Sequence, residues 1–134
     1  MPHLVIEYTA NLGPDAGITT LCQTLAGVLV AQRDPVGAPV FPIGGTRVLA
    51  YPAPCFAVAD GGADRAFVYL NMRIAPGRPG EVVKAVGDAL LAAVKDHFAP
   101  IFAGRPLGIS LHIDDGSPAY EAKHSNLHPL FKAI

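Results

Sequence analysis

Proline follows the start methionine directly in the run "MPHLVIEYTANL". Methionine before a small residue such as proline is commonly trimmed, so the mature chain is expected to begin with a prolyl amine. Leu4, Ile6 and Tyr8 alternate with His3, Val5 and Glu7, the period of a half-buried strand. That amine would then stand at the head of a sheet strand. Two readings of Pro2 follow. It is a base held in a fixed place, or it is a residue that suits a strand's first position because it lacks a backbone donor.

Other residue types that could do chemistry are sparse. His124 and His128 stand four apart, the spacing of a metal-ligating pair on a helix. Pro129 follows at once and no carboxylate or cysteine is placed as a third ligand, so no metal site is expected. His3, beside Pro2, and His112, on the polar face of a strand, fit surface or packing roles better than pocket roles. Asp60, Asp64, Asp114 and Asp115 read as turn and strand-end residues. The "GGADRA" run precedes a strand rather than a helix and is not a phosphate-binding loop, so no cofactor is expected. Cys22 and Cys55 lie far apart without metal-type spacing, and read as reduced, buried thiols.

The elements that must position these residues fall into two similar halves. After the first strand, Ile18, Leu21, Cys22, Leu25, Val28 and Leu29 form the stripe of an amphipathic helix. The "GPDAG" segment supplies a turn and an acid before it, and "DPVGAP" ends it. "GGTRVLAYPAPCFAV" is extended but broken by proline, which predicts an edge strand. "ADGGAD" reads as a hairpin turn. The second half repeats the plan. "RAFVYLNMRIA" alternates Ala66, Val68, Leu70, Met72 and Ile74 against Phe67, Tyr69, Asn71 and Arg73. Glu81 then opens a helix near its positive dipole end, with Val82, Val86, Leu90 and Ala93 on one stripe and Val83 and Val94 beside it. "GRPLGISLHIDD" closes as a strand. The expectation is one α+β domain over 1–134, with pseudo-repeats at about 2–60 and 64–115 and a C-terminal tail. Two fused βαβ units predict a four-stranded sheet with both helices on one face.

Composition says what must cover the other face. Charged residues make up only 16% of the chain and the formal net charge is −1, against about 25% charged residues in ordinary globular domains. An obligate oligomer, hiding apolar surface between subunits, accounts for the shortage. A membrane span does not, because runs such as "AGVLVA" and "AVGDALLAAV" fall short of the roughly 20 residues required. The charge balance offers no footprint for nucleic acid. No export signal is expected, since the N-terminus has no basic segment and Glu7 breaks its apolar run. A cytoplasmic protein is expected.

"PHLVIEYTANL", "FPIGGTRV", "RAFVYLNMRIAPGR" and "SNLHPLFK", in this order, resemble the 5-carboxymethyl-2-hydroxymuconate Δ-isomerase family of the tautomerase superfamily. The likeness covers nearly the whole chain and runs without gaps from Val40 to Arg78, with additional residues around Pro35–Pro39. It implies a homotrimer with sheets inward and helices outward. It also implies Pro2 as general base, and arginines that hold a dianionic substrate: Arg47 in "GGTR" and Arg78 in "APGR". No role passes to Arg73. The implied reaction moves a proton within a small unsaturated 2-hydroxy-di- or tricarboxylate, without a cofactor. Two alternatives stay open. One is another proline-base reaction on the same fold, such as hydration or dehalogenation of an unsaturated acid. The other is a trimeric binding protein without catalysis.

Overall fold

The computed structural model describes residues 1–131. Lys132, at the end of the last quoted motif, lies outside them. The elements run β1 (His3–Thr9), α1 (Ile18–Val30), β2 (Arg47–Ala53), β3 (Ala66–Arg73), α2 (Gly80–Gly104) and β4 (Leu107–Asp114). One sheet holds all four strands in the order β2-β1-β3-β4. β1 lies parallel to β2 and antiparallel to β3, and β3 lies parallel to β4. This is the mixed four-stranded sheet with two helices that the two repeated patterns predict.

The alternation of each strand selects which face receives the helices. Leu4 and Ile6 of β1 and Val68, Leu70 and Met72 of β3 are fully buried beneath Leu21, Leu25 and Leu29 of α1 and Leu90, Val94 and Phe98 of α2. The buried stripe of α2 steps by fours through Val82, Val86, Leu90, Val94 and Phe98. Ala93, expected on that stripe, is only half-buried. The helix continues past Phe98 through Pro100 to Gly104. An internal proline forfeits one backbone bond, but here it falls in the last turns, after Phe98 has anchored the helix in the core. Asp15 sits in a separate 3-10 turn, Pro14–Ala16, and α1 begins after Gly17 in the left-handed region (φ 61°).

Two expectations are corrected. The 54–65 segment is not a hairpin, because β2 and β3 both pair with β1, which lies between them. It is a connection over the sheet end, stiffened by Asp60, which accepts from the Gly62 N–H at 3.1 Å and from Arg65 at 2.8 Å. Nor are the thiols both buried: Cys55 is exposed, Cys22 is half-buried, and both are free. Pro52 does lie in an edge strand, as expected of a proline that cannot donate to a ladder. Among the described residues no helix is long and apolar enough to cross a membrane.

The face without helices carries three rows that cross all four strands. Arg47, His3, Arg73 and Asp114 share the first, and Leu49, Val5, Asn71 and His112 the second. Tyr51, Glu7, Tyr69 and Ser110 share the third. His112 meets the Tyr69 hydroxyl at 3.1 Å and packs edge-on against its ring. Phe67 lies over Gly108, where a Cβ would come within 2.9 Å of the ring.

Candidate active site

The first row of that face is where the sequence candidates gather. β1 begins just after Pro2, which is buried, and the Arg47 N–H donates to the Pro2 carbonyl at 3.3 Å. The parallel register therefore fixes Arg47 beside His3. Arg47 Nε donates to His3 Nδ1 at 2.7 Å. A ring nitrogen that accepts is unprotonated, so the neutral tautomer carries its proton on Nε2. Partial burial and then the Arg47 charge hold the His3 imidazole below its ordinary range. The terminal nitrogens of Arg47 have no protein hydrogen-bond partner among the described residues, which leaves a planar fork open to a carboxylate.

The "FPIGG" stretch turns the chain at this point. Its 3-10 turn, Ile43–Gly45, brings buried Gly45 against the N-terminus, where a Cβ would stand 3.0 Å from Met1 Cγ. Gly44 meets the last described turn, His128–Phe131: a Cβ there would lie 2.7 Å from His128 Cα. His128 thus packs on the backbone of the "FPIGG" turn, which gives it a structural place of its own.

Arg78 is held differently. Nη1 donates to the Ala75 carbonyl at 3.0 Å and Nη2 to the Val40 carbonyl at 3.2 Å, and the guanidinium lies 4.9 Å over the Phe41 ring. Two of its five N–H groups are used by the protein. The additional residues around Pro35–Pro39 form a loop closed on Asp34, whose carboxylate accepts from Val36 and Ala38 N–H at 3.0 and 2.9 Å.

A cavity of about 410 Å³ opens at the head of β1. Met1, His3, Arg47 and Arg73 line it together with Gly116, Pro118, Tyr120, Glu121 and Lys123 of the C-terminal segment. Arg78 does not line it, but its charge reaches the same place. Burial, then Arg78, then Lys123, and more weakly Arg47, push the terminal amine below its ordinary 8.0, while Glu121 pulls the other way. The structure therefore brings Met1 and Arg47 to one cavity; Pro2, buried one residue inward, and Arg78, which reaches the amine through its charge, are not among the lining residues. His3, expected to pack or face solvent, is a wall residue, because the strand register leaves it between two arginines. Lys123 and Glu121 had no signal in the sequence beyond their charge, since their segment has no periodicity.

A four-stranded sheet of two βαβ units, with a cation-lined cavity at the head of an inner strand, defines the tautomerase class of fold. A fused 4-OT wild-type symmetric trimer shares that fold at 22% identity and a TM-score of 0.63, covering 92% of each chain. The chain belongs to the 5-carboxymethyl-2-hydroxymuconate isomerase family, whose model matches residues 2–131. It is 30% identical over 132 residues to the 5-carboxymethyl-2-hydroxymuconate Delta-isomerase of Escherichia coli, covering 98% of this chain and 100% of that one. A crystal structure of a 5-carboxymethyl-2-hydroxymuconate delta-isomerase superposes with a TM-score of 0.93 at 44% identity, over 98% of this chain and 93% of the other. Membership in this family makes the protein an isomerase.

Proposed function

We propose that the protein isomerises 5-carboxymethyl-2-hydroxymuconate or a closely related unsaturated 2-hydroxy-polycarboxylate. Pro2 is the base once Met1 is removed, and Arg47 and Arg78 are the substrate's cationic partners. One observation carries the reading: the chain start opens into a cavity where cations from β2, β3 and the C-terminal segment converge. The relatives' named activity supports the choice of substrate.

The reaction converts a 2-hydroxy-2,4-dienoate into a 2-oxo-3-enoate. The O2–H bond breaks and its electron pair closes C2=O. The remaining double bond moves to C3–C4, and C5 takes up a proton. A neutral amine that accepts the hydroxyl proton and returns it to C5 completes the cycle with no cofactor. Such a base works best when its pKa lies near the working pH. At the Met1 amine, burial and the neighbouring cations disfavour the ammonium form, and in this reading they act likewise on the Pro2 amine once Met1 is removed. The Pro2 nitrogen lies one residue inward of the Met1 amine, and its ring restricts the direction of its lone pair. Arg47 offers its open fork, and Arg78 its three remaining N–H groups, to a carboxylate or to the charge gathering on the 2-oxygen.

The assembly in this reading is a homotrimer with sheets inward. Leu49, Val5, Tyr51, Tyr69 and Phe67 on the face without helices support it, as does the trimeric state of the fold relative. All four strands share one sheet, which supports a single domain with repeats at 2–60 and 64–115. A cytoplasmic location fits its two free thiols.

Terminal mass analysis with an ultraviolet assay tests the mechanism. Pro2→Ala keeps an amine but frees it to move, and should lose on the order of 10²- to 10⁴-fold in kcat, the range of an acid–base group. A homogeneous sample retaining Met1 has an amide at Pro2 and should be nearly inactive with its fold intact. Full activity in that sample would leave Pro2 as a strand-starting residue only.

A further inference from the structure

The cavity holds two cations that the proposed reaction does not use. Arg73 ends β3, and Lys123 belongs to the C-terminal segment that lines the same cavity. We propose that Lys123 and Arg73 form a subsite for a third carboxylate, so that the 116–123 segment selects tricarboxylate over dicarboxylate substrates. The inference rests on the isomerase reading above, because it concerns the same cavity.

Counting charged groups leads there. A 2-hydroxymuconate carries two carboxylates, and the 5-carboxymethyl group adds a third. Arg47 and Arg78 leave that third anion without a partner. Arg73 shares the first cross-strand row with Arg47, separated by His3. Two strand spacings set their backbones about 10 Å apart, which suits two anionic groups of one molecule better than one group gripped twice. Arg73 is exposed and has no side-chain hydrogen bond or ion pair among the described residues, so its charge is unspent. Lys123 does have a partner: its Nζ lies 2.9 Å from Glu121 Oε1. That pair is about half exposed on both sides, and exposed pairs are weak. Lys123 first, and then the chain terminus and Arg73, lower the proton affinity of Glu121 against an opposing effect of burial. The chain thus holds a carboxylate of its own among the cavity's cations, where the third carboxylate of a ligand would replace it on Lys123.

Glu121 gives the test a change of opposite sign. Binding of tricarballylate (propane-1,2,3-tricarboxylate) and glutarate, which lacks its middle carboxylate, is measured by calorimetry on the purified wild type and variants. In parallel, kcat/KM is measured for 5-carboxymethyl-2-hydroxymuconate and 2-hydroxymuconate. Lys123→Ala and Arg73→Ala should each weaken the tricarboxylate by about ten- to a hundredfold, the range of a lost bond to a charged group. The dicarboxylate should change several-fold less. Glu121→Gln should tighten the tricarboxylate, since it frees Lys123 and removes a like charge. The subsite is overturned if the alanine variants weaken both ligands equally, if Glu121→Gln weakens tricarboxylate binding, or if the wild type does not discriminate. Absence of turnover on both muconates would refute the isomerase reading while calorimetry still decides the subsite. Turnover of both without discrimination keeps the isomerase and removes the subsite.

Discussion

Replacing Arg47 with alanine separates a ligand-binding role from a structural one, because the side chain has one protein bond and two free nitrogens. The bond is Nε–H to His3 Nδ1 at 2.7 Å, on an exposed residue. The donor is a charged guanidinium, but the pair is open to water, so the bond contributes about 1 kcal/mol or less. At about 3–5 °C per kcal/mol for a chain of this size, Tm should fall by no more than about 5 °C. The loss in catalysis should be larger. A bond between a guanidinium and a carboxylate is worth about 1.5–3 kcal/mol, and the two bonds of a fork do not simply add. kcat/KM should therefore drop about ten- to 150-fold. Arg47→Lys should recover part of this, since a point charge replaces the fork. A second readout comes from His3. Burial is the main reason for its low pKa and Arg47 the second, so Arg47→Ala should raise it only part of the way to 6.5, as followed by NMR titration. With the wild type, the folded chain binds fewer protons at His3 than the unfolded chain just below pH 6.5. Stability is thus lost as pH falls from there through the folded pKa, and the variant should show a shallower slope in that window. Full activity in Arg47→Ala, an unmoved His3 titration, or a Tm drop beyond about 10 °C would each refute the reasoning.

The base should fail on the acid side, as pH falls through the lowered amine pKa and the nitrogen protonates. Arg78 is the first charge among the causes that lower the Met1 amine; if it acts likewise on the Pro2 amine, Arg78→Ala should move the acid limb of the kcat/KM profile to higher pH, and an unmoved limb would contradict the assignment. Gly44→Ala puts a Cβ 2.7 Å from His128 Cα, and displacing that backbone should cost about 1–3 kcal/mol, seen as a lower Tm. Gly27→Ala, in α1 with nothing within 4 Å, should instead hold or raise Tm, by up to about 1 kcal/mol in stability. Sedimentation should give three times the chain mass in dilute solution, and a stable monomer at micromolar concentration would leave the open sheet face without its cover.

Much of the site was legible because family motifs and local patterns mark it. The N-terminal alternation, the "GGTR" and "APGR" arginines and the Gly44–Gly45 pair all turn up at or beside one cavity. His3 was legible only as a residue on a strand. Its contact with Arg47 depends on parallel pairing across 44 residues of sequence separation, and no local pattern encodes that. Arg73 was visible as a spare cation, but its place in the cavity wall follows from sharing a row with His3.

The sequence by itself determined the elements and their faces. Period-two alternation in "HLVIEYT" and "AFVYLNM", and leucines spaced by fours in α1, dictate which side of each element loses water, because that side is the only large apolar surface it has. Proline content likewise made β2 an edge strand. Tertiary structure alone decided the order of the strands. An extended segment with both edges unsatisfied can pair on either side, and β1 took β2 and β3 together, which made the 54–65 segment a crossing rather than a hairpin. It alone decided how far α2 could run past Pro100, since the core contact of Phe98 holds the helix up to its last turns. And it alone brought Glu121 and Lys123 to the chain start. The 116–123 segment has neither helical nor strand period, so its course is fixed only by what it touches, far away along the chain.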